Sequence, residues 1–165
     1  MSENLKSSCM PILALRGMTV FPGVLAHFDV GREKSVRAID EAMSGGQLIF
    51  MIAQQELLDD DPKPSRLCAT GTVAYIKQIL RLPGDVVRIL VEGRYRAQLG
   101  SILQSTPYFY GRVEPVADEP AREPERAEAL LRMVRELFEQ YSELSPKPMA
   151  DVLLAMLASR DPGYI

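Results

Sequence analysis

The chain has 165 residues, of which 47% are hydrophobic and 25% are charged, and its net charge at pH 7 is -3. This length and apolar share suffice for one domain with an appendage, and the acidic balance argues against a dedicated nucleic-acid binder, which would carry a basic footprint. No apolar run approaches the about 20 residues that a membrane span needs, and the N-terminus lacks a signal-peptide pattern. The two cysteines, Cys9 and Cys68, lack zinc-site spacing. We therefore expect a cytoplasmic protein without a metal site.

The N-terminal part predicts two strands. Residues 1–9 are polar, and we expect them to be flexible. The apolar run 10–15 has the length of a strand. After the turn dipeptide Pro22-Gly23, residues 24–30 alternate between apolar and polar side chains. This alternation is typical of a half-buried strand.

A helix, a buried strand and an acidic loop are predicted next. Residues 32–43 carry apolar side chains at helical spacing, and Gly45-Gly46 follows as a stop signal. Residues 47–53 contain a nearly continuous apolar run, as in a strand buried on both faces. Residues 54–65 include three successive aspartates and two prolines. We expect this loop to be exposed, because such residues are costly to bury.

Residues 68–115 predict an antiparallel meander. The turn Leu82–Asp85 separates the first two strands, and Gly93 is expected to introduce a bend between the second and third. The predicted strands occupy residues 68–81, 86–92, 94–103 and 108–115.

The composition changes after residue 116. Residues 117–124 are acidic and carry two prolines, which indicates a linker. Residues 125–165 are expected to begin a helical subdomain that is truncated, since the chain stops at an apolar terminus. Its first helix is the clearest in the sequence, with an apolar stripe of Ala127, Leu130, Leu131, Val134, Leu137, Phe138 and Tyr141. A shorter amphipathic helix is predicted over residues 149–159.

Catalytic chemistry is hard to find in this sequence. The single histidine, His27, lies on the polar face of its predicted strand and is best interpreted as a surface residue. The phosphate-binding motif Gly-x-x-x-x-Gly-Lys-Ser/Thr does not occur. All five lysines lie in polar or charged contexts, where the depressed pKa of a catalytic lysine is difficult to arrange. We therefore expect no catalytic residues in this chain.

Two surfaces remain as candidate binding sites. The first is the corner formed by Phe21, Pro22, Val24 and Leu25, where apolar side chains next to a turn could bind extended or unfolded polypeptide. The alternative is that Phe21 folds back into the core.

The second candidate is the start of the first helix. Glu33 and Arg37 are four residues apart and share a helix face, with Lys34 beside them. The alternative here is an ordinary solvated helix face.

An ordered series of short motifs resembles the N-terminal domain of the ATP-dependent protease Lon. Each motif is weak by itself, but their succession over residues 10–100 is specific. The motifs are Pro11–Arg16, Val20–Gly23, Val30–Ser35, Ala53-Gln54, Gly71–Ala74 with Ile76, Leu82–Gly84, Val91–Gly93 and Arg96-Ala97. The resemblance of residues 117–165 to the helical part that follows in Lon is looser.

The resemblance implies an α+β fold, in which twisted antiparallel β-sheets form a PUA-like pseudo-barrel with one helix over residues 10–116, followed by a small helical segment. It also implies a non-catalytic domain that recognises unfolded or damaged proteins. The parent would be an ATP-dependent serine endopeptidase that uses ATP and Mg. Expected partners are unfolded substrates and the other domains and subunits of a homo-oligomeric protease, without a membrane or a nucleic acid.

One other function stays open from the sequence. A stand-alone Lon-like domain could act as an adaptor or bind a small ligand without a protease attached. The length of the natural reading frame decides between this function and that of a protease domain. An interaction role through residues 125–141 is compatible with the protease domain, since their apolar stripe could pack on the β-domain or pair with a neighbouring subunit.

Overall fold

The computed structural model describes residues 7–117 and 124–144. The chain separates into two units, Met1–Ala117 and Asp118–Ile165. Strands and helices of the described residues are β1 (Ser8–Leu15), β2 (Leu25–Val30), α1 (Glu33–Ser44), β3 (Leu48–Ala53), β4 (Thr70–Leu82), β5 (Val86–Gln104), β6 (Phe109–Pro115) and α2 (Pro124–Leu144). A short 3-10 turn covers Pro64–Arg66. Neither helix is long and apolar enough to cross a membrane.

The strands of the first unit form a sheet that closes on itself. Its order is β2-β5-β4-β3-β1-β6, and β5 pairs additionally with β6. This closure is possible because β5 has 19 residues. Its first part pairs with β2 and its last part with β6. The predicted pseudo-barrel is confirmed.

The sheet is mixed, which differs from the expectation of antiparallel sheets. β1 and β3 run parallel, with Ile12 opposite Phe50 and Leu15 opposite Ala53. Parallel neighbours need a crossover connection. Here the segment between them contains β2 and α1, and α1 packs against both β1 and β3. The other strand pairs are antiparallel.

Helix α1 is positioned by its buried face. Ala38 and Ile39 are fully buried and Ala42 nearly so. They belong to an apolar cluster that also includes β-strand residues such as Leu13 and Ile89. The predicted helix was 32–43, so its position is confirmed to within one residue at each end.

In the meander, one sequence prediction is confirmed and one is not. The hairpin turn lies where it was predicted, with Gly84 and Asp85 at positive φ between β4 and β5. Gly93 does not divide the following segment, because β5 continues through it as one strand. The register between β4 and β5 nevertheless shifts at Gly93, because Val73 pairs with Tyr95 and Ala74 with Gly93, and it shifts again between Ile76 and Gln78.

The remaining predictions concern the ends of the chain. β1 begins at Ser8, two residues inside the segment that was expected to be flexible. The predicted linker, residues 117–124, lies mostly outside the described residues. The predicted helix over 149–159 lies entirely outside them. Helix α2 includes the whole predicted stripe. Four of its exposed side chains are Leu130, Val134, Leu137 and Tyr141.

Candidate functional site

The corner before β2 is held by its backbone. The Gly23 N–H donates to the Gly93 carbonyl at 2.9 Å, and the Gly93 N–H donates to the Val24 carbonyl at 3.0 Å. The Thr72 hydroxyl donates to the Val20 carbonyl at 2.7 Å. A Cβ on Gly93 would lie 2.1 Å from the Phe21 carbonyl oxygen, so this close approach requires glycine.

This arrangement leaves three apolar side chains in solvent. Phe21 is 56% exposed, Val24 46% and Leu25 62%. Val20, only 2% exposed, is the residue that enters the core. The alternative in which Phe21 folds into the core is therefore wrong. Pro22 is half-buried.

Charged residues of β4 and β5 lie beside the apolar corner. Leu25 is the register partner of Glu92. Lys77 Nζ lies 2.6 Å from Glu92 Oε2, and Arg94 lies 3.6 Å from Glu92 Oε1. The hydrogen bond from Lys77 lowers the pKa of Glu92 below its usual value. The sequence prediction missed these residues, because their position beside Leu25 depends on the register between β2 and β5.

The charged residues at the start of α1 are engaged with each other and with the acidic loop. Arg37 donates to Glu33 at 2.6 Å. Lys34 donates to Asp61 at 2.5 Å, and its Nζ lies 5.4 Å from the centroid of the Phe109 ring. Lys34 is therefore occupied by contacts within the domain. Exposed ion pairs of this kind stabilise a fold by about 0–1 kcal/mol each.

The acidic loop is largely exposed, as predicted, and it is also fastened to the domain by hydrogen bonds. Gln54 is 5% exposed and donates from Nε2 to the Asp59 carbonyl at 2.9 Å. Its Oε1 accepts a hydrogen bond from Arg32 at 2.8 Å. Arg16 binds the Asp60 carboxylate and lowers its pKa, while burial lowers the pKa of Arg32. The loop thus covers the approach to the start of α1.

The two candidate surfaces lie at opposite ends of β2. The corner ends at Leu25, the first residue of β2, whereas α1 begins three residues after Val30. A six-residue strand places its first and last Cα atoms about 17 Å apart. The apolar corner and the Glu33–Arg37 pair are therefore not adjacent parts of one patch along the strand.

A cleft of about 350 Å³ lies between the end of β1 and the end of β2. Its apolar lining includes Leu13, Leu15, Met18, Phe28 and Val30. A second cavity, of about 270 Å³, lies at the start of α1 against the acidic loop. No group of three His, Cys, Asp or Glu side chains among residues 7–117 and 124–144 could hold a metal ion.

His27 lies on the exposed face of β2, as the alternation of the sequence predicted. Its register partner is Leu90 of β5. Asp29 lies two residues after His27, and Arg88 donates to both of its carboxylate oxygens, at 2.6 and 2.8 Å. This paired geometry lowers the pKa of Asp29, chiefly through the hydrogen bond from Arg88.

Comparison with known families identifies a match over nearly the whole chain. Residues 9–165 match the family described as the ATP-dependent protease La (LON) substrate-binding domain. The Lon protease of Syntrophomonas wolfei is 42% identical over 156 residues, which are 94% of this chain and 19% of that protein. The Lon protease of Desulforamulus reducens is 40% identical over 165 residues, which are 100% of this chain and 20% of that protein. The chain thus spans about a fifth of these relatives.

Two solved structures have a similar fold. The N-terminal domain of Lon protease from the Mycobacterium avium complex has a TM-score of 0.74 at 20% identity, over 94% of this chain and 78% of that chain. A Lon N-terminal domain protein from Xanthomonas campestris has a TM-score of 0.58 at 17% identity, over 94% of this chain and 92% of that chain.

Proposed function

Since this chain belongs to the substrate-binding domain family of the ATP-dependent protease La (Lon), we propose that it recognises unfolded or damaged polypeptides for degradation. The client is captured reversibly and is then passed to ATPase and protease parts of the same protein. The exposed Glu33–Arg37 pair forms a second, charged contact at the far end of β2, whereas Lys34 is held by Asp61 and is left out of the contact. The proposal names no catalytic residue in this chain.

The observation that carries this proposal is the exposed corner of Phe21, Val24 and Leu25. Unfolded proteins expose apolar segments that folded proteins bury, and an exposed apolar patch supplies a complementary surface. Burying one large apolar side chain contributes about 1.5–3 kcal/mol, whereas association costs about 4–15 kcal/mol in lost translational and rotational freedom. Three side chains therefore support only weak binding, and a weakly bound client can be released to the next step.

The corner also keeps its shape when no client is bound. Gly93 and Thr72 hold its backbone through hydrogen bonds, while Val20 anchors it in the core. The apolar side chains are therefore presented without the entropy cost of ordering a flexible loop. Lys77, Glu92 and Arg94 form a polar rim that keeps the corner solvated between clients.

We infer further that the parent is a cytoplasmic, homo-oligomeric ATP-dependent serine endopeptidase that uses ATP and Mg. The cavity at the start of α1 is lined by Arg32 and Lys34 as well as Glu33, Asp60 and Asp61, and both cations are already engaged by Gln54 and Asp61 within the domain. We therefore assign nucleotide binding to the other parts of the parent. Within the parent, residues 10–116 would form the binding domain, residues 117–124 a linker, and residues 125–165 the beginning of a helical subdomain.

The proposal is tested by substituting the exposed apolar residues. Phe21→Ser and Leu25→Ser should each weaken binding of reduced, carboxymethylated α-lactalbumin several-fold, because each removes apolar area from the contact. Leu58→Ser is the matched control, since Leu58 is 95% exposed but lies in the acidic loop. Affinity is measured by fluorescence anisotropy with the labelled test protein, and circular dichroism checks the fold.

Three results are informative. Loss of affinity in both corner variants but not in the control supports the assignment of the corner. An unchanged affinity in a correctly folded Phe21→Ser/Leu25→Ser double variant would remove the corner from the proposal. If the wild-type domain binds no unfolded protein at all, the proposed function itself is wrong.

A further inference from the structure

Strand β2 is an edge of the sheet in the described part of the chain. It stands at one end of the strand order, where β5 is its only neighbour. A strand in this position presents a row of unpaired backbone N–H and C=O groups, which can pair with another extended chain. Proteins protect such edges or use them for binding.

The hydrogen-bond pattern between β2 and β5 shows which backbone groups of β2 face the free edge. Val24 and Gly93 form a hydrogen-bonded pair, because the Gly93 N–H donates to the Val24 carbonyl. Hydrogen-bonded pairs alternate along an antiparallel ladder. Ala26, Phe28 and Val30 therefore direct their backbone groups toward β5. Those of Leu25, His27 and Asp29 point to the free edge, and all three of these residues are exposed.

The apolar cleft lies on the same side of β2. Its lining includes no residue of β5. It combines the apolar residues Leu13, Leu15, Met18, Phe28 and Val30 with the charged residues Arg16, Asp29, Arg32 and Asp60. The cleft therefore opens away from β5, beside the free edge. Phe28 is half-buried, so part of its ring remains available to a side chain that enters the cleft.

We propose that an extended segment of an unfolded client adds to the free edge of β2 as a further strand. Its backbone pairs with Leu25, His27 and Asp29, and an inward-facing apolar side chain enters the cleft between β1 and β2. The inference rests on the proposed function and specifies its mode of binding. Main-chain pairing explains how one surface accepts clients of unrelated sequence, since every polypeptide carries the same backbone groups.

The chemistry around the cleft selects the occupant. The free edge repeats a donor and an acceptor every two residues, about 7 Å apart, and another extended backbone matches this spacing. The nearby charges are already paired: Arg16 with Asp60, and Asp29 with Arg88. Arg32, which also lines the cleft, donates to Gln54 and to the Asp59 carbonyl. Because these charged groups are engaged within the domain, the cleft favours an apolar client side chain over a charged one.

The corner lies at the N-terminal end of the same edge. A strand paired with Leu25 would continue past β2 toward Phe21 and Val24, which are both exposed. One extended client segment could therefore contact the cleft, the free edge and the apolar corner in succession. This geometry connects the main-chain pairing to the side-chain contacts proposed above.

The first experiment removes a backbone N–H group that faces the free edge of β2. In His27→Pro the ring removes the N–H that faces the free edge, and proline is tolerated at such positions of edge strands. His27→Ala is the matched control, because it removes the side chain and keeps the N–H. With the full 165-residue chain and reduced, carboxymethylated α-lactalbumin, we expect about tenfold weaker binding for His27→Pro and nearly unchanged binding for His27→Ala.

The second experiment needs no substitution. Amide hydrogen exchange is followed by NMR in the wild-type chain with and without the same probe. Leu25, His27 and Asp29 should gain protection on binding, whereas Ala26 and Phe28 are protected before the probe is added. This alternation is specific for strand addition and remains measurable if the proline variant fails to fold.

The outcomes separate this mode of binding from the proposed function. Weaker binding of a folded His27→Pro variant, or alternating protection along β2, supports strand addition. Binding without added protection at these three amides overturns strand addition and leaves the proposed function standing. A complete absence of binding by the wild-type chain overturns both.

Discussion

Replacing Gly93 with alanine tests whether the corner is held by a close approach of two backbones. The new Cβ would lie 2.1 Å from the Phe21 carbonyl oxygen and 2.8 Å from its carbonyl carbon. Both atoms belong to the backbone, so no side-chain rotation can relieve the clash. Either the corner or β5 must move by roughly 1 Å to reach ordinary contact distances.

The expected cost follows from the contacts that this movement breaks. Two backbone hydrogen bonds join Gly93 to Gly23 and Val24, at 2.9 and 3.0 Å, and each contributes about 0.5–1.5 kcal/mol. Alanine restricts the unfolded chain more than glycine does, which offsets about 0.4–1 kcal/mol. The clash therefore dominates, and Gly93→Ala should lower the free energy of unfolding by about 2 kcal/mol.

Urea denaturation followed by far-UV circular dichroism measures this difference. A loss of about 2 kcal/mol corresponds to a midpoint lower by about 1 M for a small domain. Gly46→Ala is the matched control, because a Cβ there meets nothing within 4 Å. Its stability should stay within about 0.5 kcal/mol of the wild type. A Gly93→Ala variant as stable as the control would refute this account of the corner.

Two further predictions concern the ion pair on β2 and the fastening of the acidic loop. Arg88 lowers the pKa of Asp29 in the folded state. The ion pair therefore stabilises the fold at pH values above the pKa of Asp29 in the unfolded chain, and this stabilisation is lost as the pH falls through the pKa of Asp29 in the folded state. Asp29→Asn should therefore be less stable than wild type at pH 6, with a gap that narrows below about pH 4 in urea denaturation; a gap that does not change with pH would contradict this. Gln54→Leu should lower the free energy of unfolding by about 1–3 kcal/mol, because it removes the buried hydrogen bonds that Gln54 makes with Arg32 and with the Asp59 carbonyl, and should speed amide exchange over residues 55–66. Gln78→Leu is its control, since Gln78 is exposed on β4, and equal exchange in both variants would argue against the fastening role of Gln54.

Local patterns in the sequence were sufficient for the elements around the candidate site. The alternation of residues 24–30 predicted β2, the helical spacing of residues 32–43 predicted α1, and the Pro83-Gly84 turn predicted the hairpin between β4 and β5. These signals are reliable because they arise within a few residues of backbone, where turn geometry and side-chain periodicity act directly. The family resemblance, drawn from short motifs in order, was also confirmed.

Features that depend on distant residues could not be predicted in this way. The acidic loop looked like an ordinary exposed loop, because Arg16, Arg32 and Gln54, which hold it, are separate in sequence. Gly93 was interpreted as a bend, although its requirement is the approach of Phe21 from another segment. A glycine inside a strand pattern signals either of these situations, and its sequence neighbours do not distinguish them.

The sequence by itself determined the elements, the family and the apolar character of the corner at Phe21 and Leu25. Only the tertiary structure decided that β1 and β3 are parallel, that β2 is an edge strand beside a cleft, and that Glu92 lies opposite Leu25. The physical reason is that periodicity reports which face of an element is apolar. The choice of its neighbours depends on chain closure and packing over the whole domain.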